Sequence, residues 1–264
     1  MSAFYQRYQA LIAHGELQHD ADQDDCAKQL ARLQKELEAV PPRGSILWRA
    51  FGKKPAAPKG IYMWGGVGRG KSMLMDLFYN NLDIRRKKRA HFHEFMLDVH
   101  ARLNVERKKE QGDPVIPVAK ALAGEARFLA FDEMVVNNSA DAMIMSRLFT
   151  GLVEAGVTIV TTSNRPPDDL YKDGLNREHF LPFIELLKTR LDVISLNGPT
   201  DYRRERLGDV DLWHVPNGEA ATKALSEAFF RLTDYPPEDR DHVPSAEIEV
   251  QGGRMLTVPK SLKG

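Results

Sequence analysis

Short apolar segments alternate with longer amphipathic ones through the middle of the chain. Strands are predicted where apolar and β-branched residues follow one another, and the stretches between them are long enough for crossover helices. The predicted strands cover residues 60–64, 89–92, 127–131, 157–162 and 192–196. This alternation is typical of βαβ units, so the sequence predicts an α/β fold with a doubly wound, mostly parallel sheet of five strands.

The two flanks of this region show other patterns. Leucines recur at helical spacing in residues 20–40, which predicts an amphipathic helix that a Pro-Pro pair ends. Nearer the C-terminus, residues 218–234 predict a second amphipathic helix. Two alternating segments on either side of Gly252 and Gly253 then predict a β-hairpin.

Composition and charge limit the class of protein. The 37 basic and 37 acidic residues give a formal net charge of +0, so no overall field attracts the chain to nucleic acid or to an anionic membrane. The single cysteine, Cys26, excludes an internal disulfide, and an inert thiol is favoured over a nucleophile. The N-terminus lacks a secretory signal, and no segment is apolar over the roughly 18 residues that a membrane span needs. We therefore expect a cytoplasmic protein without an integral membrane segment.

One glycine-rich turn carries a strong chemical signal. The stretch "GGVGRGKS" has the spacing G-x-x-x-x-G-K-[ST] and lies between a predicted strand and a predicted helix, the context that this motif requires. In such a turn, backbone N–H groups and the helix dipole bind phosphate oxygens, the lysine contacts the β and γ phosphates, and the hydroxyl binds Mg²⁺. The predicted nucleotide-binding residues are Gly65, Gly66, Val67, Gly68, Arg69, Gly70, Lys71 and Ser72, with Lys71 also catalytic and Ser72 also a metal ligand.

Two acidic residues follow the third predicted strand. Asp132 and Glu133 end the stretch "RFLAFDE", at the carboxyl end of a strand, where open α/β sheets bind ligands. We expect Asp132 to support the Mg²⁺ shell and Glu133 to polarise an attacking water. The pair favours a hydrolase over a protein that only binds nucleotide.

Two more candidates follow the fourth predicted strand. Asn164 comes directly after that strand, where an amide can orient the water or contact the γ phosphate. Arg177 lies further along, on a segment that need not face its own nucleotide. We predict Arg177 as an arginine finger for a neighbouring subunit, and a surface salt bridge stays open as the alternative.

Two other clusters favour structural roles. His91, His93, Glu94 and His100 suggest a metal site, but on a strand Glu94 points away from the two histidines before it, so we expect packing or partner contacts. Residues 85–89 form a run of five basic side chains that can contact nucleic acid. A solvated edge before the second strand is the favoured interpretation of that run.

These motifs and their surroundings resemble a known family. The order of the P-loop, the Asp132-Glu133 pair and Thr162-Ser163-Asn164 resembles the AAA+ ATPases, so we expect the P-loop strand to lie beside the Asp132 strand. The stretches "HFHEFMLDVH", "FDEMVV", "TSNRPPDDLY", "REHFLPFI" and "DYR" are similar to the AFG-like ATPases within that class. The N-terminal stretch "YQALIAHGELQHDADQ" also matches, so the resemblance covers nearly the whole chain.

The resemblance implies more than the motifs do. It implies an ATPase with ATP and Mg²⁺ as cofactors, which acts on the cell division ring through the tubulin-like protein FtsZ and assembles into a ring of subunits. Related proteins contact adenine ahead of the first strand, which makes Asp20 and Gln23 candidates here. The expected parts are an N-terminal helical segment with a linker (1–58), a P-loop ATPase core (59–205) and a C-terminal helix with a hairpin (206–264).

Two departures from the family pattern bear on activity. The family usually has Thr-Asp-Ile after the Asp-Glu strand, whereas Asn137, Asn138 and Ser139 stand here, so an amide replaces a carboxylate. The family also continues beyond the hairpin into a helical lid with an arginine, and from this sequence we expect that lid to be missing. A nucleotide-dependent interaction module without turnover is therefore the alternative function. A nucleic-acid-linked AAA+ loader is a less favoured one.

Overall fold

A parallel five-stranded sheet is the centre of the larger of two units in this protein. The structure, a computed structural model, describes residues 2–40, 57–109, 112–198, 216, 218–232, 246–250 and 254–258. The chain divides into the units Met1–Thr200 and Asp201–Gly264. The three-part division expected from the sequence stays a prediction.

The elements follow one another largely as the sequence predicts. The first unit contains helices α1 (Ala3–Ala13), α2 (Ala21–Ala39), α3 (Lys71–Asn81), α4 (Phe92–Arg107), α5 (Val115–Glu125), α6 (Ser139–Glu154) and α7 (Leu181–Arg190), and 3₁₀ turns at Pro167–Asp169 and Arg177–His179. Its strands are β1 (Gly60–Trp64), β2 (Lys87–His91), β3 (Phe128–Asp132), β4 (Thr158–Ser163) and β5 (Leu191–Ser195). The second unit contains α8 (Glu219–Leu232) and the antiparallel hairpin of β6 (Ala246–Val250) and β7 (Arg254–Val258), which confirms the predicted helix and hairpin.

The strand order is β2-β3-β4-β1-β5, and every neighbouring pair is parallel. The predicted α/β fold with a parallel five-stranded sheet is thereby confirmed. The expectation that the P-loop strand lies beside the Asp132 strand is wrong, because β4 separates β1 from β3. Val160 of β4 lies opposite Ile61 on one side and opposite Ala130 on the other. All six residues of β4 are buried, and this β-branched segment without charges suits the middle of a sheet.

The second strand ends earlier than predicted. α4 begins at Phe92, so His93 and Glu94 lie in a helix, and the strand geometry assumed for a histidine metal site is wrong. His91 is the last residue of β2 and is exposed. Among the described residues, no three His, Cys, Asp or Glu side chains lie close enough together to hold a metal ion.

Alternate residues of the strands β1, β3 and β4 enter two separate cores, one on each face of the sheet. Ile61 and Met63 of β1 pack with α1, α2 and α3, whereas Tyr62 between them packs with α4 to α7. Likewise Phe128 of β3 enters the first core and Phe131 the second. Within the described part of the chain, no helix combines the length and the apolar character that crossing a bilayer requires.

The N-terminal helices belong to the first core. Phe4, Cys26 and Leu30 are completely buried there, and burial raises the pKa of the Cys26 thiol. A thiol without water access and with a raised pKa is a poor nucleophile, which supports the inert role expected for it. Gln34, also buried, accepts a hydrogen bond from the Phe4 backbone N–H at 3.1 Å and donates one to the Asn81 carbonyl at 2.8 Å, so it joins α1, α2 and α3.

Replacing Gln34 tests this junction. We expect Gln34→Leu to lower the free energy of unfolding by about 1–3 kcal/mol, because the Phe4 N–H and the Asn81 carbonyl lose their partner in a buried place. Urea unfolding followed by circular dichroism measures the change. Gln29→Leu, a half-buried glutamine on the same helix, is the control. An equal loss of stability in both variants would contradict the role of Gln34.

Candidate functional site

The predicted site residues lie largely at one edge of the sheet. The P-loop follows β1, the Asp132-Glu133 pair ends β3, and Asn164 follows β4. Because these strands are parallel and β4 is the neighbour of both others, their carboxyl ends meet at the same edge. The Gly65 N–H donates to the Ser163 carbonyl at 3.2 Å, which joins the start of the P-loop to the end of β4.

The P-loop depends on glycine at two positions in particular. A Cβ at Gly65 would lie 2.2 Å from the Leu196 backbone oxygen, so no side chain fits there. Gly70 is the N-cap of α3 and has a φ of +79°, a conformation that other residues rarely adopt. Lys71, which is 8% exposed, donates from Nζ to the Gly65 and Gly66 carbonyls at 2.8 and 2.7 Å. Ser72 is exposed in the first turn of α3.

Asp132 is a buried carboxylate with one oxygen to spare. Its Oδ2 accepts a hydrogen bond from Arg89 Nε at 2.7 Å, and the residue is 6% exposed. Its Oδ1 is buried and accepts no hydrogen bond from the described residues. Mg²⁺ prefers oxygen ligands, including carboxylates and the waters that they orient, so a free carboxylate oxygen fits this ion.

Glu133 lies in a strained turn beside Asp132. Its φ is +54°, in the left-handed region that costs a non-glycine residue roughly 1–2 kcal/mol. Thr162 of β4 holds this turn, because its Oγ1 accepts from the Glu133 N–H at 3.0 Å and its carbonyl accepts from the Met134 N–H at 2.7 Å. The strain presents an exposed carboxylate at the strand edge, which is typical of functional residues.

Asn164 and Arg177 occupy different parts of the segment after β4. Asn164 is exposed one residue beyond the strand, close in sequence to the Ser163 carbonyl that contacts the P-loop. Arg177 begins a 3₁₀ turn and donates from Nη2 to the Asp168 carbonyl at 2.5 Å. The structure thus holds Arg177 on its own loop rather than at the strand ends.

The start of α2 lies against the P-loop. Gln23, 1% exposed, donates from Nε2 to the Arg69 carbonyl at 3.3 Å, and a Cβ at Gly70 would lie 2.8 Å from that nitrogen. Asp20 caps α2 by accepting from the Gln23 N–H at 2.8 Å, and it lies beside Gly198. A contact of either residue with adenine stays a prediction.

Two further residues lie at this edge that the sequence patterns do not predict as site residues. Asn197, just after β5, accepts from the Gly66 N–H through Oδ1 at 3.0 Å. Its signal is the same as that of Asn164, a polar residue directly after a strand. Arg89 pairs with Asp132 and, through Nη1, with Asp76 of α3, but in the sequence it is hidden in a run of basic residues.

The basic run itself is neither a solvated edge nor an open patch. Arg86 and Lys87 donate to main-chain carbonyls, and Lys88 pairs with an aspartate of α4 at 3.7 Å. With Arg89, four of the five basic residues are half-buried and have partners inside the protein. β2 is the edge strand of the sheet, but the prediction of a solvated edge is wrong because these side chains reach carbonyls of α3 and α5 and carboxylates of α3, α4 and β3.

The amide at Asn138 has a local role. Its Oδ1 accepts from the Asp141 N–H at 2.8 Å and so caps α6, while its Nδ2 donates to the Asp141 carboxylate at 2.7 Å. Asp141 in turn contacts His100 of α4 at 2.6 Å. Asn138, the amide that departs from the family pattern, therefore serves as the N-cap of the helix that follows the Asp132-Glu133 turn.

Comparisons with known proteins extend this geometry. The profile of the AFG1-like ATPase family matches residues 2–262. The uncharacterized protein C115.02c of Schizosaccharomyces pombe is 39% identical over 288 residues, which cover 96% of this chain and 62% of that protein. Cell division protein ZapE of Escherichia coli K12 is 37% identical over 253 residues, which cover 92% of this chain and 66% of that protein. The chain therefore spans just under two thirds of the length of these relatives.

A search of solved structures finds weaker likenesses. AMPPCP-bound DnaA from Aquifex aeolicus matches with a TM-score of 0.48 and 14% identity, over 79% of this chain and 57% of that chain.

The strain at Glu133 can be measured. We expect Glu133→Gly to be more stable than Glu133→Ala by about 1 kcal/mol, because only glycine adopts a positive φ without cost. Both variants lack the carboxylate, so the difference between their free energies of unfolding isolates the backbone. Equal stability of the two variants, measured by urea unfolding, would show that the turn is not strained.

Proposed function

The chain belongs to the AFG1-like ATPase family, and on this premise we propose that it hydrolyses ATP with Mg²⁺ at the sheet edge described above. The observation that carries the proposal is the meeting of the P-loop with the Asp132-Glu133 pair at the ends of strands that share β4 as neighbour. Family membership supports ATP hydrolysis as the reaction, and this geometry supports the carboxyl ends of the strands as the place where it occurs.

Binding is assigned to the P-loop, residues 65–72. Its backbone N–H groups and the N-terminus of α3 would surround the phosphates. Lys71 already holds its ammonium against two P-loop carbonyls, and phosphate oxygens would replace or share those contacts. Gln23 and Asp20, at the start of α2, are the residues we propose for the adenine end.

Hydrolysis is assigned to the residues at the ends of β3 and β4. Bound Mg²⁺ would neutralise phosphate charge, with Ser72 and the free Oδ1 of Asp132 to hold it. Glu133 would accept a proton from the attacking water, since its exposed carboxylate lies one residue from Asp132. Asn164 would orient that water from the end of β4.

Arg177 is proposed to act on a neighbouring subunit in a homo-oligomeric ring. An arginine supplied in this way contributes ~10³ to 10⁵ in rate in other P-loop enzymes. The buried Nε of Arg177 donates to no partner among the described residues, and Nη2 donates to a carbonyl of its own loop. A phosphate oxygen would offer this guanidinium stronger, charge-assisted hydrogen bonds.

The cellular role is a separate proposal. The name of the E. coli relative supports an action on the division ring, for which FtsZ is the proposed partner and the cytoplasm the proposed location. A relative of similar identity in S. pombe has no assigned role, so this part depends on one name. A nucleic-acid-linked loader has less support, because four of the five basic residues of the run have partners inside the protein.

Three variants test the proposed ATPase. We expect steady-state ATP hydrolysis per subunit to rise with protein concentration, because the finger comes from another subunit. Lys71→Ala should abolish ATP binding. Glu133→Gln should keep binding and lose turnover by about 10²-fold or more, and Arg177→Ala should lose about 10³-fold.

Arg190→Ala is the control for the loss of a surface arginine, since Arg190 is exposed at the end of α7, directly before β5 and at the opposite edge of the sheet. Tight ATP binding by the parent chain without turnover at any concentration would contradict the ATPase and favour the interaction module. Turnover per subunit that does not depend on protein concentration would contradict only the proposal that Arg177 acts on a neighbouring subunit.

A further inference from the structure

Arg89 is the charged residue most closely joined to the proposed metal site. It lies in the middle of β2, and its side chain is 22% exposed. Nothing in the proposed mechanism assigns it a role. Arg86, Lys87 and Lys88 of the same basic run contact other groups. Among these four residues, the contact with Asp132 therefore belongs to Arg89.

The guanidinium of Arg89 joins two carboxylates on two elements. Nε donates to Asp132 Oδ2 at 2.7 Å, and Nη1 donates to Asp76 Oδ1. Asp132 ends β3, whereas Asp76 lies in α3, the helix that the P-loop starts. One side chain thus links the strand and the helix that carry the two proposed metal ligands.

The strand register explains why Arg89 reaches Asp132. β2 and β3 are parallel with Arg89 opposite Ala130, and Asp132 is two residues further along β3. Residues two apart on a strand share a face, so Asp132 points to the same side as Ala130 and Phe128. That side packs on α3, since the rings of Phe128 and Phe78 are 5.7 Å apart.

The helix repeat explains the other contact. Asp76 follows Ser72 by four residues, so the two side chains lie on the same face of α3. A guanidinium held by Asp76 and Asp132 therefore sets the rotation and the distance of the Ser72 face relative to β3. The planar guanidinium makes both contacts with donors in fixed directions, Nε toward one carboxylate and Nη1 toward the other.

We propose that Arg89 is a positioning residue for the metal site. Its guanidinium occupies Asp132 Oδ2 and so leaves Oδ1 to the Mg²⁺ shell, and its contact with Asp76 fixes the face of α3 that carries Ser72 relative to Asp132. This inference depends on the proposed ATP-binding function. A carboxylate free to rotate would offer either oxygen, whereas the Arg89 bond selects one. The positive charge also balances a carboxylate that is almost completely buried.

The test compares Arg89→Lys with Arg102→Lys. Arg102 makes the same kind of fork elsewhere, from Nε to Asp98 at 3.0 Å and from Nη2 to Glu125 at 3.2 Å, and its side chain is 29% exposed. Lysine keeps the charge in both variants but cannot join two carboxylates in these directions. Thermal unfolding of both variants measures how much stability the protein loses when an arginine no longer contacts two carboxylates, whether or not it is near the metal site.

The measurement is binding of a fluorescent, non-hydrolysable ATP analogue to the full chain during a Mg²⁺ titration that starts in EDTA. Arg89→Lys should raise the half-saturating Mg²⁺ concentration by about tenfold and leave the affinity in EDTA within about twofold of the parent. Arg102→Lys should change neither value. An unchanged Mg²⁺ dependence in Arg89→Lys, or an equal shift in Arg102→Lys, would overturn the inference.

Asp76→Ala removes the oxygen that accepts from Arg89 Nη1, so it cuts the contact with the helix while Asp132 keeps its partner. We expect it to shift the Mg²⁺ dependence in the same direction, with no further shift when it is combined with Arg89→Lys, because both act through one connection. Additive shifts would contradict that connection. This variant also gives the answer if Arg89→Lys does not fold, since Asp76 is 54% exposed. A parent chain whose nucleotide affinity does not respond to Mg²⁺ would contradict the proposed function and the inference together.

Discussion

The candidate site depends on the buried strand β4 and on the way its polar end is satisfied. A central strand has no access to water, so the polar groups of Thr162 and Ser163 must find partners inside the protein. They find them in the two neighbouring loops. Ser163 accepts from Gly65 at the start of the P-loop and donates from Oγ to the Met134 carbonyl, while Thr162 holds the turn at Glu133. One strand end therefore positions both halves of the site.

The same edge is supported from the sides. Asn197 after β5 accepts a hydrogen bond from the Gly66 N–H, and Gln23 of α2 contacts Arg69 and lies against Gly70. α2 is itself fixed by the core that it shares with α1 and α3, which includes the Gln34 junction. The N-terminal helices thus matter for the proposed chemistry, because their packing holds the residue of α2 that contacts the P-loop.

The sequence predicts the parts of this site that short-range rules govern. The P-loop has fixed spacing, and Asp132 and Glu133 follow four apolar residues, 128–131, so both are visible without a structure. The strand order is different, because it depends on which apolar surfaces pack together over a hundred residues, and the expected pairing of β1 with β3 is wrong for that reason. Arg89 could not be separated from its basic neighbours, since only strand register decides which of them meets Asp132.

The buried Cys26 has a practical consequence. It is the only cysteine in the sequence, and it is completely inaccessible on the buried face of α2. A cysteine introduced on the surface would therefore be the only thiol that a dye or spin label reaches in the folded protein. Labels placed near Arg177 and near the P-loop would show whether copies of the chain approach one another as proposed, with no need to alter the native core first.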